Sequence, residues 1–391
     1  MVLDQRLKRE IEKRVGKVRN EAIDRGFNGV VVFGKAPERT GNLVYLTNYC
    51  PLLPGHPTVY NFRGRGFGAF VLPVDKPSTL IVTLAFGFDA EQIVADNIII
   101  NTNLPAALAD VFRERSLDRA IIGLVGEDVL SVALYKDILR LCPRVRFVTA
   151  DDIVLNLRAV KSSMEIEFLE EGAQIGDMVA QNLREYLRPG LTEKEVVEFV
   201  RTELDKHGVQ NPAATCQSGV KNSGEPMIPY GCTNRILNQG DMVHIEINGS
   251  YKGYRIDLCR STVIGSASQR QVELLETIVE MMEKASSMLR PGIKAEEVEA
   301  IAAEVALRMG FKNNFTISCG GPASYIGHGI GLGIDEPPIL AAGVKTILKR
   351  GMVICLEPGL YRTEVGGARI EDTFVIENSG PRNLSHFQRW W

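Results

Sequence analysis

Two stretches of the chain nearly repeat each other. LRPGLTEKEV at 187–196 returns as LRPGIKAEEV at 289–298. Each follows a helical pattern, breaks it at Pro-Gly, and restarts a helix beside a Glu. Further on, GDMVHIE at 240–246 is loosely matched by GMVICLE at 351–357. Each half therefore reads helix, Pro-Gly turn, helix, then a strand ending in a carboxylate. Such a chain is expected to fold as a duplicated α+β unit with pseudo-twofold symmetry. That symmetry would bring the carboxylates of both halves to one central place.

The repeat fills only the second part of the 391 residues. At roughly 150 residues per domain the chain accommodates two domains. The first part opens with an amphipathic helix, on which Leu3, Leu7, Ile11, Val15 and Val18 recur at spacings of three and four. Short β-rich runs then alternate with helical stretches, at 30–33, 68–74, 79–83, 97–100, 120–125 and 145–149. This alternation reads as an α/β domain. Residues 49–68, rich in Pro and Gly, break it as a long loop, a kind of segment that is often functional. Beyond Asp151 helix faces take over, marked by Ile175, Val179 and Leu183, and by Val196, Val200 and Leu204. The domains are expected at 1–155 and 156–391.

Composition removes several classes. A net charge of −3 gives no electrostatic reason to expect a nucleic-acid partner. No run approaches the ~20 apolar residues of a membrane span. The N-terminal segment has no apolar core of signal-peptide length. The seven cysteines, Cys50, Cys142, Cys216, Cys232, Cys259, Cys319 and Cys355, have no CxxC spacing. That argues against a thiolate zinc site and for reduced thiols in a cytoplasmic protein.

Five residues of the second part carry the chemistry. Glu246 and Asp257 lie eleven residues apart in HIEINGSYKGYRID. A hairpin around 248–253 would return both carboxylates to one point. His328 stands between glycines in GHGIGLG, which would let the backbone turn tightly and leave the imidazole open. Glu357 and Glu371 end apolar, strand-like runs. Buried carboxylates without a cation are costly. Several of them with one imidazole suit Mn, Fe, Co or Zn, and two ions rather than one.

These motifs resemble those of the pita-bread metallohydrolase family, which holds Xaa-Pro aminopeptidases, prolidases and creatinase. NLVYLTNY at 42–49 is similar to a segment of its N-terminal domain. RAVKSSMEIEFLEEGAQIGD at 158–177 is similar to the helix that opens its catalytic domain. GYRIDLCRST, GHGIGLGIDEPP, EPGLY and RIEDT then follow in family order. The resemblance implies a creatinase-like α/β domain followed by an α+β pita-bread domain, and a homodimer. It places metal ligands at Glu246, Asp257, His328, Glu357 and Glu371, with Glu357 also the general base.

The chain departs from the family at three positions. Glu246 stands where the family has Asp. Pro229, in MIPYG, and Asp335, in GIDEPP, stand where peptidase members have substrate-binding histidines. His244, on the same strand side as Glu246, is a candidate to compensate catalytically. Tyr230, beside Pro229, is a candidate substrate contact, as is Asp335 itself. Arg369 is expected to brace the carboxylates. In creatinase-like members an N-terminal arginine grips the substrate carboxylate in the partner's site, and FRGRGFG at 62–68 offers Arg63 and Arg65.

The expected function is hydrolysis of a C–N, peptide-like bond in a short peptide or small molecule by a metal-activated water. The rival expectation is a non-peptidase hydrolase or lyase of a small polar carboxylate, working with little or no metal.

Overall fold

The computed structural model describes residues 4–36, 40–51, 64–84, 87, 89–311 and 325–390. Arg63, and most of the long loop expected at 49–68, lie outside the described residues. The chain divides into two compact units, Met1–Arg158 and Ala159–Trp391.

The first unit runs α1 (Gln5–Asp24), β1 (Gly29–Lys35), α2 (Gly41–Thr47), β2 (Phe67–Pro73), β3 (Thr79–Val82), β4 (Asn97–Ile100), α3 (Leu104–Glu114), β5 (Ile121–Val125), α4 (Val132–Leu141), β6 (Arg146–Thr149) and α5 (Asp151–Ala159). Its six strands form one mixed sheet in the order β4-β3-β2-β1-β5-β6. The run Val30–Phe33 is buried on both faces, as befits a central strand. Val31 and Phe33 join α3 and α4 in one core. The helix dipole end of α1 is capped by Asp4, whose Oδ1 accepts the Arg6 N–H at 2.8 Å.

The buried stripe of α1 differs from the expected one. Ile11, Val18 and Ala22 are buried, but so is Arg14, next to the half-buried Val15. Arg14 tolerates burial because its guanidinium stacks 4.1 Å over the Tyr45 ring and reaches the Tyr45 carbonyl at 3.3 Å.

The second unit runs α6 (Ser163–Tyr186), α7 (Glu193–Lys206), β7 (Gln210–Ser218), α8 (Gly219–Ser223), β8 (Met242–Tyr251), β9 (Tyr254–Val263), α9 (Gln269–Ser287), α10 (Ala295–Arg308), β10 (Tyr325–Gly329), β11 (Glu336–Ala341), β12 (Val353–Leu356), β13 (Gly359–Thr363), β14 (Gly366–Arg369), β15 (Asp372–Glu377) and β16 (Gly380–Asn383). In one half α6 and α7 pack on the sheet β7-β8-β9. In the other, α9 and α10 pack on the sheet β11-β10-β12-β15-β16. An isolated bridge between Cys259 and Glu371 joins the halves.

The repeated sequence makes repeated backbone bonds. The Gly190 N–H donates to the Leu237 carbonyl at 2.9 Å, and the Gly292 N–H to the Leu348 carbonyl at 2.9 Å. The reciprocal bonds run from Leu237 to Leu191 at 2.7 Å and from Leu348 to Ile293 at 2.8 Å. Both turn glycines need a left-handed backbone, with φ of 94° and 95°. The helix that follows each turn starts with a Glu accepting the backbone N–H three residues back, Glu195 from Thr192 at 2.7 Å and Glu297 from Lys294 at 3.1 Å.

Candidate metal centre

The hairpin expected between Glu246 and Asp257 is present as β8 and β9. Glu246 lies directly opposite Cys259, and Asn248 opposite Asp257. Opposed residues share a face and alternate residues repeat it, so Glu246 and Asp257 project the same way. Asn248 Nδ2 donates to Asp257 Oδ1. His328 comes from β10, Glu357 from just beyond β12, and Glu371 from the residue before β15. All five sequence-derived candidates converge, and all are buried.

The ligand atoms fall into overlapping groups whose members lie within 4.8 Å of one another. One group is His328, Glu357 and Glu371, and another is Glu246, Asp257 and Glu371. His328 Nε2 is 3.1 Å from Glu357 Oε1 and 3.7 Å from Asp257 Oδ2. Its Nδ1 lies 3.2 Å from the Gly329 carbonyl, an acceptor that keeps a proton on Nδ1 and aims Nε2 at the carboxylates.

The glycines around His328 do a different job from the one expected. His328 is not in a turn but in β10, between β11 and β12. A Cβ at Gly327 would meet the Cys355 carbonyl oxygen at 2.4 Å, and one at Gly329 the Pro337 carbonyl oxygen at 2.5 Å. The neighbouring strands approach too closely for any side chain there, and that closeness seats the imidazole against Glu357.

Burial sets the protonation of this cluster. It pushes the Asp257 carboxyl up to about 7, against the pull of His328 and with the push of Glu357 and Asp335. It pushes Glu371 well above the carboxylate range, with Asp257 and Glu357 adding to the effect. Burial acts downward on His328, but the hydrogen bond to Glu357 and the surrounding carboxylates outweigh it and hold the imidazole at about 10. One Glu371 oxygen is buried without a hydrogen-bond partner. Buried carboxylates that cannot ionise comfortably, one with an orphaned oxygen, fit a divalent cation.

Arg369 is buried within the cluster. It pairs directly with Glu246 and lies 3.9 Å from Glu357 Oε2. The expected bracing role of Arg369 thus has a specific partner. His244 is wholly buried, two residues from Glu246 on the same side of β8, with its ring edge-on to Tyr361 at 6.0 Å. Burial, aided by Arg369, lowers its pKa to about 3, so the ring is neutral. Asp335 sits at the edge of the cluster, its Oδ1 3.4 Å from His328 Nε2. Pro229 and Tyr230 lie in a short turn, in which Tyr230 has a φ of 65° and is 99 % exposed. Arg65 belongs to the first unit, half-buried in the turn 64–66 ahead of β2.

Several contributors escaped the sequence reading. Cys355 Sγ lies within the same 4.8 Å reach of Asp257 and His328 ligand atoms. Its position two residues before Glu357 on a strand was the available signal. Arg260, fully buried, donates to the Glu371 carbonyl at 2.6 Å and to Asp372 Oδ1 at 2.8 Å, fixing the backbone that carries Glu371. No local pattern announced that pair.

The sequence pattern of Metallopeptidase family M24 matches residues 167–378, and that of the Creatinase/Prolidase N-terminal domain matches residues 14–160. The chain belongs to metallopeptidase family M24. Among M24 relatives, the Xaa-Pro dipeptidase of Pyrococcus horikoshii is 28 % identical over 350 residues, covering 86 % of this chain and 93 % of that one. The Xaa-Pro dipeptidase of Pyrococcus furiosus is 32 % identical over 244 residues, covering 62 % of this chain and 68 % of that one. The crystal structure of the prolidase from Pyrococcus horikoshii OT3 superimposes with a TM-score of 0.81 at 25 % identity, covering 96 % of this chain and 99 % of that one. The pita-bread expectation therefore holds. As an M24 member the chain is a hydrolase of the peptidase type, and its family uses divalent metal.

Proposed function

We propose that the chain is a metal-dependent dipeptidase acting on short peptides of Xaa-Pro type. The observation that carries this reading is the convergence of one imidazole and four carboxylates on a single buried point. The names of the M24 relatives supply the substrate class.

His328, Glu357 and Glu371 would hold one ion, and Glu246, Asp257 and Glu371 a second, drawn from Mn, Fe, Co or Zn. Such ions lower the pKa of a water and polarise a carbonyl. The other tasks fall to the chain's own groups. Glu357 takes a proton from the attacking water and delivers it to the leaving proline nitrogen. Arg369 holds Glu246 in place. His244, neutral and buried against Tyr361, keeps that wall of the site rigid. Tyr230 and Asp335 are the proposed contacts for the peptide, and Arg63 or Arg65 for a substrate carboxylate in a partner's site. A homodimer is part of this reading. A reducing, cytoplasmic setting is supported by the free thiols of Cys50, Cys142, Cys216, Cys232, Cys259 and Cys355. Among the described residues no helix is long and apolar enough to cross a membrane.

The test is elemental analysis of the purified protein, followed by proline release from an Xaa-Pro panel before and after chelation. Activity that appears with metal and vanishes with chelator supports the reading. Failure to take up any divalent ion overturns it.

A further inference from the structure

Asp335 differs from every other acid of the cluster in its exposure. Its side chain is 62 % exposed, whereas those of Asp257 and Glu357 are 7 % exposed. It is therefore the acid of the cluster that an arriving molecule meets first. Its ion-pair contact among the described residues is with His328 Nε2 at 3.4 Å, and no lysine or arginine pairs with it there. Two of the buried acids, Glu246 and Glu357, by contrast, share the guanidinium of Arg369.

The Asp335 backbone is also held in place. The next residue, Glu336, is buried and anchored twice, by the Gly333 N–H at 2.7 Å and by the Lys161 ammonium at 3.3 Å. Lys161 is itself buried, and its backbone N–H donates to the Gly351 carbonyl at 2.8 Å. Glu336 opens β11 in register with Gly329, the neighbour of His328. The carboxylate of Asp335 is thus carried on a fixed rim rather than on a loose loop, and little ordering is lost when it meets a charge. A fixed anion beside the reacting centre attracts a cationic group of the substrate and repels an anionic one.

We infer that Asp335 makes this site select peptides that carry a positive side chain next to the scissile bond. The inference deepens the dipeptidase reading above and rests on it. Lys-Pro is preferred over Leu-Pro, and Leu-Pro over Glu-Pro. A charge a few ångströms away at the protein surface changes an affinity by about tenfold, and salt weakens the effect.

The experiment measures kcat/KM of the metal-loaded full chain for Lys-Pro, Leu-Pro and Glu-Pro at low and high salt. The expected Lys-Pro to Glu-Pro ratio is at least about tenfold at low salt and smaller at high salt. Asp335→Asn brings that ratio to near one, while Asp335→Glu keeps it. The ratio is taken within each variant, so a general loss of metal or fold does not imitate the result. Equal cleavage of all three by the native chain, or a ratio unmoved by Asp335→Asn, overturns the inference and leaves the dipeptidase reading standing. A loaded enzyme that cleaves none of the three overturns both.

Discussion

Metal-free protein is expected to lose stability as pH rises above about 6.5, and a divalent ion to restore it most at high pH. The sign follows from two groups, opposed below 6.5 by a third. Burial raises the Asp257 carboxyl from 3.8 to about 7. Between these values the unfolded chain releases a proton that the folded chain keeps, so stability falls as pH rises, and the loss is complete above about 7. His328 is raised from 6.5 to about 10, burial opposing and Glu357 and the other carboxylates prevailing. Its stabilisation is fully present below 6.5 and is lost as pH rises through about 10. Both slopes have one sign. His244, lowered from 6.5 to about 3 chiefly by burial, opposes them below 6.5, where the unfolded chain binds a proton that the folded chain refuses, and is silent above it. The displacement of Asp257 alone corresponds to roughly 4 kcal/mol, at about 1.4 kcal/mol per pH unit. The two groups face each other at 3.7 Å, so their effects overlap rather than add. Below 6.5 the fall from Asp257 and the rise from His244 offset each other, and a net fall on the order of 4 kcal/mol between pH 6.5 and 10 is the expectation. Both tryptophans, Trp390 and Trp391, belong to the second unit, so their fluorescence follows this unit alone. The assay is urea unfolding of chelator-treated protein from pH 5 to 9, with and without Mn²⁺. The ion should stabilise more at pH 8 than at pH 5, because its ligands must be deprotonated. Asp257→Asn should turn the dependence below pH 6.5 toward rising stability, because it removes a falling contribution and leaves the rising one of His244. Chelated protein that grows more stable from pH 7 to 9, or a pH-independent effect of Mn²⁺, would refute the reasoning.

Asp372→Ala leaves the fully buried Arg260 without its carboxylate and also removes the Arg389 contact at 3.0 Å. It should cost about 3–5 kcal/mol in urea unfolding, and a paired Arg260→Met, Asp372→Leu change should recover most of that. Glu246→Asp shortens the side chain that now pairs with Arg369. Calorimetric titration should show a changed affinity for one equivalent of Mn²⁺ and an unchanged affinity for the other. Gly190→Ala and Gly292→Ala each force an alanine to φ near 95° in otherwise open space. Each should cost about 1–2 kcal/mol, and the two costs should agree, since the turns make the same bonds.

The parts of this protein legible in its sequence are those that local chemistry dictates. Pro-Gly stops, Glu at the third helical position and strands ending in acids revealed the duplication, and the hairpin register followed from the spacing of Glu246 and Asp257. What escaped depends on partners distant in sequence. Arg14 reads as a solvated residue until Tyr45 is known to cover it. The glycines around His328 read as a turn until β11 and β12 close in on either side. Arg260 and Asp372 are ordinary charges until a residue pair 112 positions apart is brought into contact.

The duplication also shows where the two halves of the site are unequal. The turn glycines Gly240 and Gly351 are equivalent, since their N–H groups donate to Ile264 and Ile376 at 2.7 and 2.8 Å. Counting forward six residues from each, Glu246 corresponds to Glu357. Counting back five residues from Ile264 and Ile376, Cys259 corresponds to Glu371, and these are the two residues that bridge the halves. Counting back seven, Asp257 corresponds to Arg369. One symmetry-related pair carries a carboxylate in both halves. Another is an acid in one half and a guanidinium in the other, and the guanidinium pairs with Glu246. A site with a carboxylate at all these positions would carry more negative charge than two divalent ions balance. With Arg369 at one of them the buried charge stays within the ions' reach, while one ligand is tied up. On the proposed two-ion reading, that arrangement predicts unequal grip, with the weaker ion on the Glu246 side. It is the half of the site where the Glu246→Asp titration should register its change.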